Sequence, residues 1–341
     1  MDYSIYDFIN SEKEEEIINK YFNSSSKAKM SCGVLINNHI YSTDNNLFYI
    51  GSISKVFTSL LVLKTINKYN IDIHTNINIF LKLKSGNYPT IYECLTHTSR
   101  SYFLITAKFF INNLLFSSFQ TKNPYENVKS DVVLKCLEKK RFSKHKEKKY
   151  HYSDLNYALL AIVLEKIEKR KIKELLQDFI TNDLKLKNTY VGNFAGTTKS
   201  VLRDKYIDDW VWYCDNPYLS AGGIISNSYD MLVFSKIIID SDLEYIKNAS
   251  IICPESKRLK NDIMTTYSFH TFKKSNQLWH VGVIGTHRSM IIINKVKKYA
   301  VITLSNAKGV KNGNASYVCK MIYGDIKRKK KLLVKSKINE L

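Results

Sequence analysis

Apolar positions along the chain change their period twice. The first stretch is strand-like: Gly33-Val34-Leu35-Ile36, then Asn37-Asn38, then His39-Ile40-Tyr41. Two apolar runs about an Asn-Asn pair predict a β-hairpin, because Asn tolerates the positive φ of a tight turn. Leu47 to Ile50 reads as a third strand. From Gly51 the period becomes helical, with Val56, Leu60 and Leu63 on one stripe that ends at Asn67. Ahead of the hairpin, Ser11 to Tyr21 carries a capping residue, acidic first-turn residues and apolar Ile17 and Ile18, which predicts an opening helix.

The middle of the chain is mostly helical in pattern, most clearly over 128–140, 156–169, 171–180 and 228–239. Strand signals return in Thr265 to Phe272, Gln277 to Gly282, Ser289 to Asn294 and Tyr299 to Ser305, which are β-branched or aromatic runs between polar turns. Asn314 to Asp325 reads as a closing helix. The expected fold is therefore α/β in the α+β sense: one antiparallel sheet built from both chain ends, flanked by terminal helices, with an inserted mainly helical lobe. The expected organisation is a single domain over 1–341. Its sheet lobe comprises about 1–70 and 263–325, its helical lobe about 71–262, and 326–341 forms a basic tail. A site between the two lobes is the natural expectation.

Composition narrows the class. Twelve Gly and four Pro in 341 residues leave little room for long linkers. The six cysteines are scattered, with no CxxC pair, a spacing that suits reduced, mostly buried thiols better than a disulfide frame or a zinc site. No metal and no cofactor is expected. The N-terminus shows no secretory pattern, and the longest apolar stretch, Tyr102 to Phe119, is broken by Lys108, Asn112 and Asn113. The expectation is a cytoplasmic protein without a membrane span. The net charge of +21 favours anionic partners, yet a chain this rich in Lys, Asn, Ile and Tyr is also what nucleotide bias produces. The basic runs 139–149 and Lys327 to Lys331 lack the aromatic-glycine grammar of a nucleic-acid module, so no nucleic acid is expected.

The chemistry begins at Gly51-Ser52-Ile53-Ser54-Lys55. Three residues apart at a helix start, Ser52 and Lys55 share a face, so the amine reaches the hydroxyl near unpaired N–H groups. Alone, S-x-x-K is a weak signal. Its companions are Ile91 to Ser99 (containing Leu95-Thr96-His97-Thr98-Ser99), Tyr152-Ser153-Asp154 with Tyr157 to Leu160, Ala221-Gly222-Gly223 with Ser226 and Asp230, and His280-Val281-Gly282. In this order the set resembles the class C β-lactamase, DD-peptidase and esterase superfamily, whose S-x-x-K carries the nucleophile. The resemblance spans roughly 48 to 306 and implies a β-lactamase/transpeptidase-like fold.

It also implies roles. Ser52 would attack a carbonyl and form an acyl-enzyme, and Lys55 would help remove its proton, directly or through Tyr152. A phenol next to Lys55 would favour phenolate, and His280 would add a proton or an orienting hydrogen bond. The N–H groups of Ser52 and Val283, beside Gly282, would form the oxyanion hole. His97 and Thr98 read as loop anchors. Asp154 stands where the family has Asn and offers Lys55 a carboxylate partner. Arg100 replaces a customary Gly, and Arg288 follows an altered turn, where it offers a clamp for a carboxylate or phosphate. The implied activity is that of a serine hydrolase or acyltransferase on an ester, amide or peptide, with a small-molecule or peptide substrate and room for an anionic group on it. The H-x-G form fits esterase and peptidase branches at least as well as dedicated β-lactamases. Asp154, Arg100 and the altered turn keep open a catalytically impaired relative that binds a peptide or anionic ligand. The +21 charge keeps open a basic surface-binding protein. Oligomeric state is not legible.

Overall fold

The computed structural model describes residues 27–36, 38–99, 122–139, 150–253, 263–272, 277–307, 315–324 and 326. The expected opening helix, Arg100, the 102–119 stretch, most of the 139–149 basic run and the basic tail lie outside them.

Both chain ends build the main sheet. Strands β1 (Met30–Ile36) and β2 (His39–Ser42) form the hairpin read from the Asn-Asn pair, with Asn38 at φ 68°. Strand β3 (Phe48–Tyr49) leaves this sheet and pairs instead with β7 (Ile224–Ser226), which also pairs with β4 (Tyr190–Val191). The third strand expected from Leu47 to Ile50 thus belongs to a separate small sheet, and strands interrupt the helical middle. The short β5 (Val201–Leu202) and β6 (Lys205–Tyr206) make a further pair there.

The remaining strands are β8 (Ile252–Cys253), β9 (Ile263–Thr266), β10 (His270–Phe272), β11 (Gln277–Ile284), β12 (His287–Asn294) and β13 (Tyr299–Ser305). Their order is β2-β1-β13-β12-β11-β10-β9-β8, and every neighbouring pair is antiparallel. The single strand expected over Thr265 to Phe272 is a hairpin instead. Thr266 Oγ1 accepts from the N–H groups of Ser268 and Phe269 and closes a turn that periodicity could not reveal.

Period-two burial explains how this sheet is held. Leu35, Ile291, Ile293, Ala300, Ile302 and Leu304 face the larger core. Their alternates Cys32, Val34, Met290, Ile292, Tyr299 and Val301 pack on Val318, Cys319, Ile322 and Tyr323 of the closing helix (315–324). All six cysteines are free thiols; four are buried, Cys136 is intermediate and Cys214 is exposed.

On the larger core lie α1 (Ser54–Lys68), α2 (Asn78–Leu81), α3 (Ile91–Leu95), α4 (Ser130–Lys139), α5 (Asp154–Glu168), α6 (Ile172–Asp178), α7 (Leu219–Gly222), α8 (Ser228–Asp240) and α9 (Glu244–Asn248). Helix α1 runs through the centre and is buried on nearly every side, which is why its apolar stripe looks weak in sequence. Its polar positions are satisfied by neighbours: Thr58 Oγ1 donates to Ser220 O at 2.8 Å, and Ser54 Oγ accepts from Ile224 N at 3.1 Å. These bonds fix the N-terminal end of α1 against α7 and β7. Among the described residues, no helix is long and apolar enough to cross a membrane.

Candidate active site

Gly51 creates the turn that presents Ser52. Its φ of +52° lies in the left-handed region, and a Cβ there would sit 2.6 Å from Val283 N. Gly51–Ile53 then forms one 3₁₀ turn leading into α1, so Ser52 sits just before the α-helix. Ile50, next to this turn, donates its N–H to Ile224 O at 2.9 Å, while its carbonyl accepts from Ser289 Oγ at 2.8 Å. Strand β11 lies so close that a Cβ on Gly282 would fall 1.9 Å from Ile50 O. The two glycines therefore let the Ser52 turn and β11 touch backbone to backbone. This contact brings Val283 N beside the turn.

Lys55 is fully buried; its Nζ donates to Ser52 Oγ at 3.0 Å and to Ala221 O at 2.7 Å and forms an ion pair with Asp154 Oδ1 at 2.7 Å. The rings of Tyr152 and Tyr157 lie 5.1 and 5.6 Å away, within cation–π range. Asp154 opens α5 and receives Tyr125 Oη at 2.9 Å on its other oxygen. An acid in the first helical turn also meets the positive end of the helix dipole. The expected Lys55–Asp154 pairing is thus present.

Tyr152 faces Ser52, but its electrostatics differ from expectation. Burial first, and the Asp154 carboxylate second, push its phenol well above the ordinary tyrosine range, while the interaction with Ser52 pulls the other way. Burial and the Asp154 carboxylate thus act against the phenolate expected beside Lys55. Tyr152 stacks on His97 with ring centroids 4.4 Å apart. His97 takes φ 56° and accepts Ser153 N on Nδ1 at 3.1 Å, while its carbonyl accepts His151 N at 2.7 Å. It anchors the Tyr152 segment, as read from sequence.

His280 lies farther back. Its Nδ1 is 2.9 Å from Val281 O, and its ring stacks on His270 at 5.0 Å; His270 in turn lies 6.4 Å from Tyr152. Burial, then His270 and the Lys55 charge, hold His280 well below the usual histidine range. These causes act against the protonated form of His280, and His270 lies between its ring and Tyr152. His270, unremarkable inside a strand-like run, was missed by sequence reasoning.

A cleft of about 360 Å³ opens at Ser52. Asp154, Tyr125, Trp210, Trp212, Val283 and Arg288 are among its lining residues. The wall is layered: Tyr125 stacks on Tyr218 at 4.1 Å, and Trp210 lies 6.2 Å from Trp212. Its support is Asp209, whose Oδ1 accepts from Ser200 Oγ at 2.6 Å and lies 3.2 Å from His287 Nε2. Burial alone would raise the Asp209 pKa, but His287 and Ser200 bring it below the ordinary carboxylate range. The sequence signal for the wall was Trp210-Val211-Trp212, two of three tryptophans one residue apart.

Residues 26–316 match the Beta-lactamase family model. The chain belongs to this family. A curated relative, the Teichoic acid D-alanine hydrolase of Staphylococcus aureus, is 25% identical over 306 residues, which cover 86% of this chain and 69% of the relative. Among solved structures, a class C beta lactamase from Rhodobacter sphaeroides superposes with a TM-score of 0.72 at 14% identity, covering 92% of this chain and 99% of that one. The Beta-lactamase/D-alanine Carboxypeptidase from Yersinia pestis superposes with a TM-score of 0.70 at 17% identity, covering 93% and 99%. The mixed helix and antiparallel sheet architecture of this chain is theirs, and the curated relative is by name a hydrolase.

Proposed function

We propose that this family member is a serine hydrolase that cleaves an ester, amide or peptide bond through an acyl-Ser52 intermediate. The observation that carries this reading is the convergence of Lys55 Nζ, 3.0 Å away, and Tyr152 on the Ser52 side chain. Ser52 Oγ accepts from Lys55, so its own proton is free to point to Tyr152 Oη. As Oγ attacks the substrate carbonyl, that proton passes to Tyr152, and the phenol proton passes to the leaving group. The phenol thus remains neutral through the step, as its surroundings demand. The developing oxyanion would lie between the N–H groups of Ser52 and Val283, a reading supported by the close approach of Val283 N to Gly51. Water then attacks the acyl carbonyl along the reverse route; an acceptor alcohol or amine there would make the enzyme an acyltransferase.

The curated relatives make D-alanyl esters the first compounds to test, and the +21 charge suits a polyanionic carrier such as teichoic acid. Turnover is to be measured on a D-alanyl ester, a simple aryl ester, a D-Ala-D-Ala peptide and a chromogenic cephalosporin. The proposal expects ester or peptide turnover above cephalosporin turnover. In Tyr152→Phe, acylation should slow by about 10²- to 10⁴-fold. Wild-type rates in Tyr152→Phe would refute the relay. A second reading, a binding protein with an inert serine, is favoured by one observation: the Lys55 amine is already engaged by Ala221 O and by the Asp154 carboxylate. Absence of turnover on every compound, with retained binding, would select it.

A further inference from the structure

A depression of about 430 Å³ lies apart from the Ser52 cleft and shares none of its lining residues. It forms where α6 runs on through one π-turn (Phe179–Asp183) and the chain returns as β4. Such a turn is rare and frequently accompanies a functional site. Gln177 ties the two sides together: its Nε2 donates to Thr181 Oγ1 and to Thr189 O, both at 3.1 Å, and its Oε1 accepts from Val191 N at 3.0 Å. Buried Asp230 holds the same segment, its Oδ2 accepting from Thr189 Oγ1 at 2.9 Å and from Asn188 N at 2.7 Å. The frame is preformed.

Its lining is cationic and aromatic. Lys185 and Lys187 are exposed lining residues, and no acidic side chain lines the depression. The carboxylates nearest in sequence are already engaged, Asp183 by Lys64, and Glu174 and Asp178 by Arg170. Tyr190, also in the lining, stacks flat on Phe194 with ring centroids 3.8 Å apart and planes within 6°. Ammonium groups suit phosphate oxygens, and a fixed aromatic face suits the C–H side of a sugar or polyol.

We propose that this depression is a second binding site, for a phosphate carried on a sugar or polyol: Lys185 and Lys187 take the phosphate, and the Tyr190–Phe194 platform takes the carbon body. Two sources present that chemistry, a free sugar phosphate and a further unit of a phosphodiester polymer whose acyl group lies at Ser52. The strip Tyr190 to Asn193 links the two sites. Gly192 N donates to Gly223 O at 2.7 Å, beside Gly222 of the cleft, and Asn193 bonds both backbone groups of the cleft residue Trp212 at 3.0 Å. Only the polymer source rests on the acyl-Ser52 reading.

Calorimetry on the full chain tests the site at about 0.15 M salt, which screens diffuse attraction to a +21 protein. The probes are glucose 1-phosphate, glucose, inorganic phosphate, glycerol phosphate and poly(glycerol phosphate). Glucose 1-phosphate or glycerol phosphate should bind at least about tenfold more tightly than glucose or inorganic phosphate. Lys185→Gln with Lys187→Gln should remove that affinity. Lys166→Gln with Lys320→Gln, the same charge loss elsewhere, should keep it, with thermal melting confirming that both variants fold. The polymer is the source if it binds more tightly per unit than glycerol phosphate, and if the Lys185/Lys187 variant loses kcat/KM on its D-alanyl ester but not on an aryl ester. Tightest binding of glucose 1-phosphate makes the free sugar phosphate the source. Binding of no phosphate probe, affinity unchanged in the Lys185/Lys187 variant, or equal loss in the control variant would overturn the proposal. Failure of Ser52 to acylate would sink the hydrolase reading and the polymer source with it, and leave the binding result standing.

Discussion

Lys55 Nζ and Asp154 Oδ1 lie 2.7 Å apart, with the lysine fully enclosed and the carboxylate about a quarter exposed at the cleft floor. Where the family pattern has Asn, this chain places a full counter-charge against the lysine that bonds to Ser52. The pair ties the start of α1 to the start of α5, and Tyr125 ties the second carboxylate oxygen to the aromatic wall.

Removing one member of a buried pair leaves the other unmatched. Asp154→Asn should destabilise the fold by about 1–3 kcal/mol, less than for a fully enclosed pair because Asp154 touches solvent and Lys55 keeps two oxygen acceptors. Replacing both residues, as Lys55→Met with Asp154→Leu, should recover much of that loss. Urea unfolding of the two variants checks this; equal stability of wild type and Asp154→Asn would show that the pair contributes nothing.

Gly282 carries a steric prediction. A Cβ there would meet a backbone oxygen that is itself held by Ser289 and cannot swing aside. Gly282→Ala should push β11 off the nucleophile turn, lowering stability by about 2–4 kcal/mol and acylation by more than about 100-fold. Thermal melting and acylation rate, measured together, test it. A wild-type rate in Gly282→Ala would mean that the close approach of β11 is not needed.

Two buried histidines give stability a defined pH dependence. Burial, with Lys55 adding to it, holds His97 and His280 well below their ordinary value near 6.5. Below that pH the unfolded chain takes up protons that the folded chain refuses, so stability falls as pH drops. Each histidine should contribute a loss of about 1.4 kcal/mol per pH unit until its folded pKa is reached. Denaturation midpoints between about pH 7.5 and 5.5 should fall, and His280→Gln should make the slope shallower. An unchanged slope in that variant would contradict the assignment for His280.

Much of this architecture was legible because sheet faces and landmarks are local properties. The alternation in Ser289 to Asn294 and Tyr299 to Ser305 reports its two cores directly, and Ser52, Asp154 and Val283 do line one cleft, with Lys55 buried against the first two. What escaped the sequence depends on neighbours distant along the chain. β3 joins a different sheet because β7, some 175 residues later, offers the edge. Helix α1 hid its burial because its Thr and Ser positions find partners on α5 and α7. The upward push on the Tyr152 phenol comes first from burial, which the Tyr-Ser-Asp string does not show, and only then from the Asp154 that it does.

The central claim is that Ser52 is the acylated atom's owner, and intact-mass analysis after exposure to a fluorophosphonate probe tests it most directly. The wild-type chain should gain one probe adduct, mapped by peptide fragmentation to Ser52, and Ser52→Ala should gain none. An adduct that persists undiminished in Ser52→Ala, or that maps to another residue, would contradict the account.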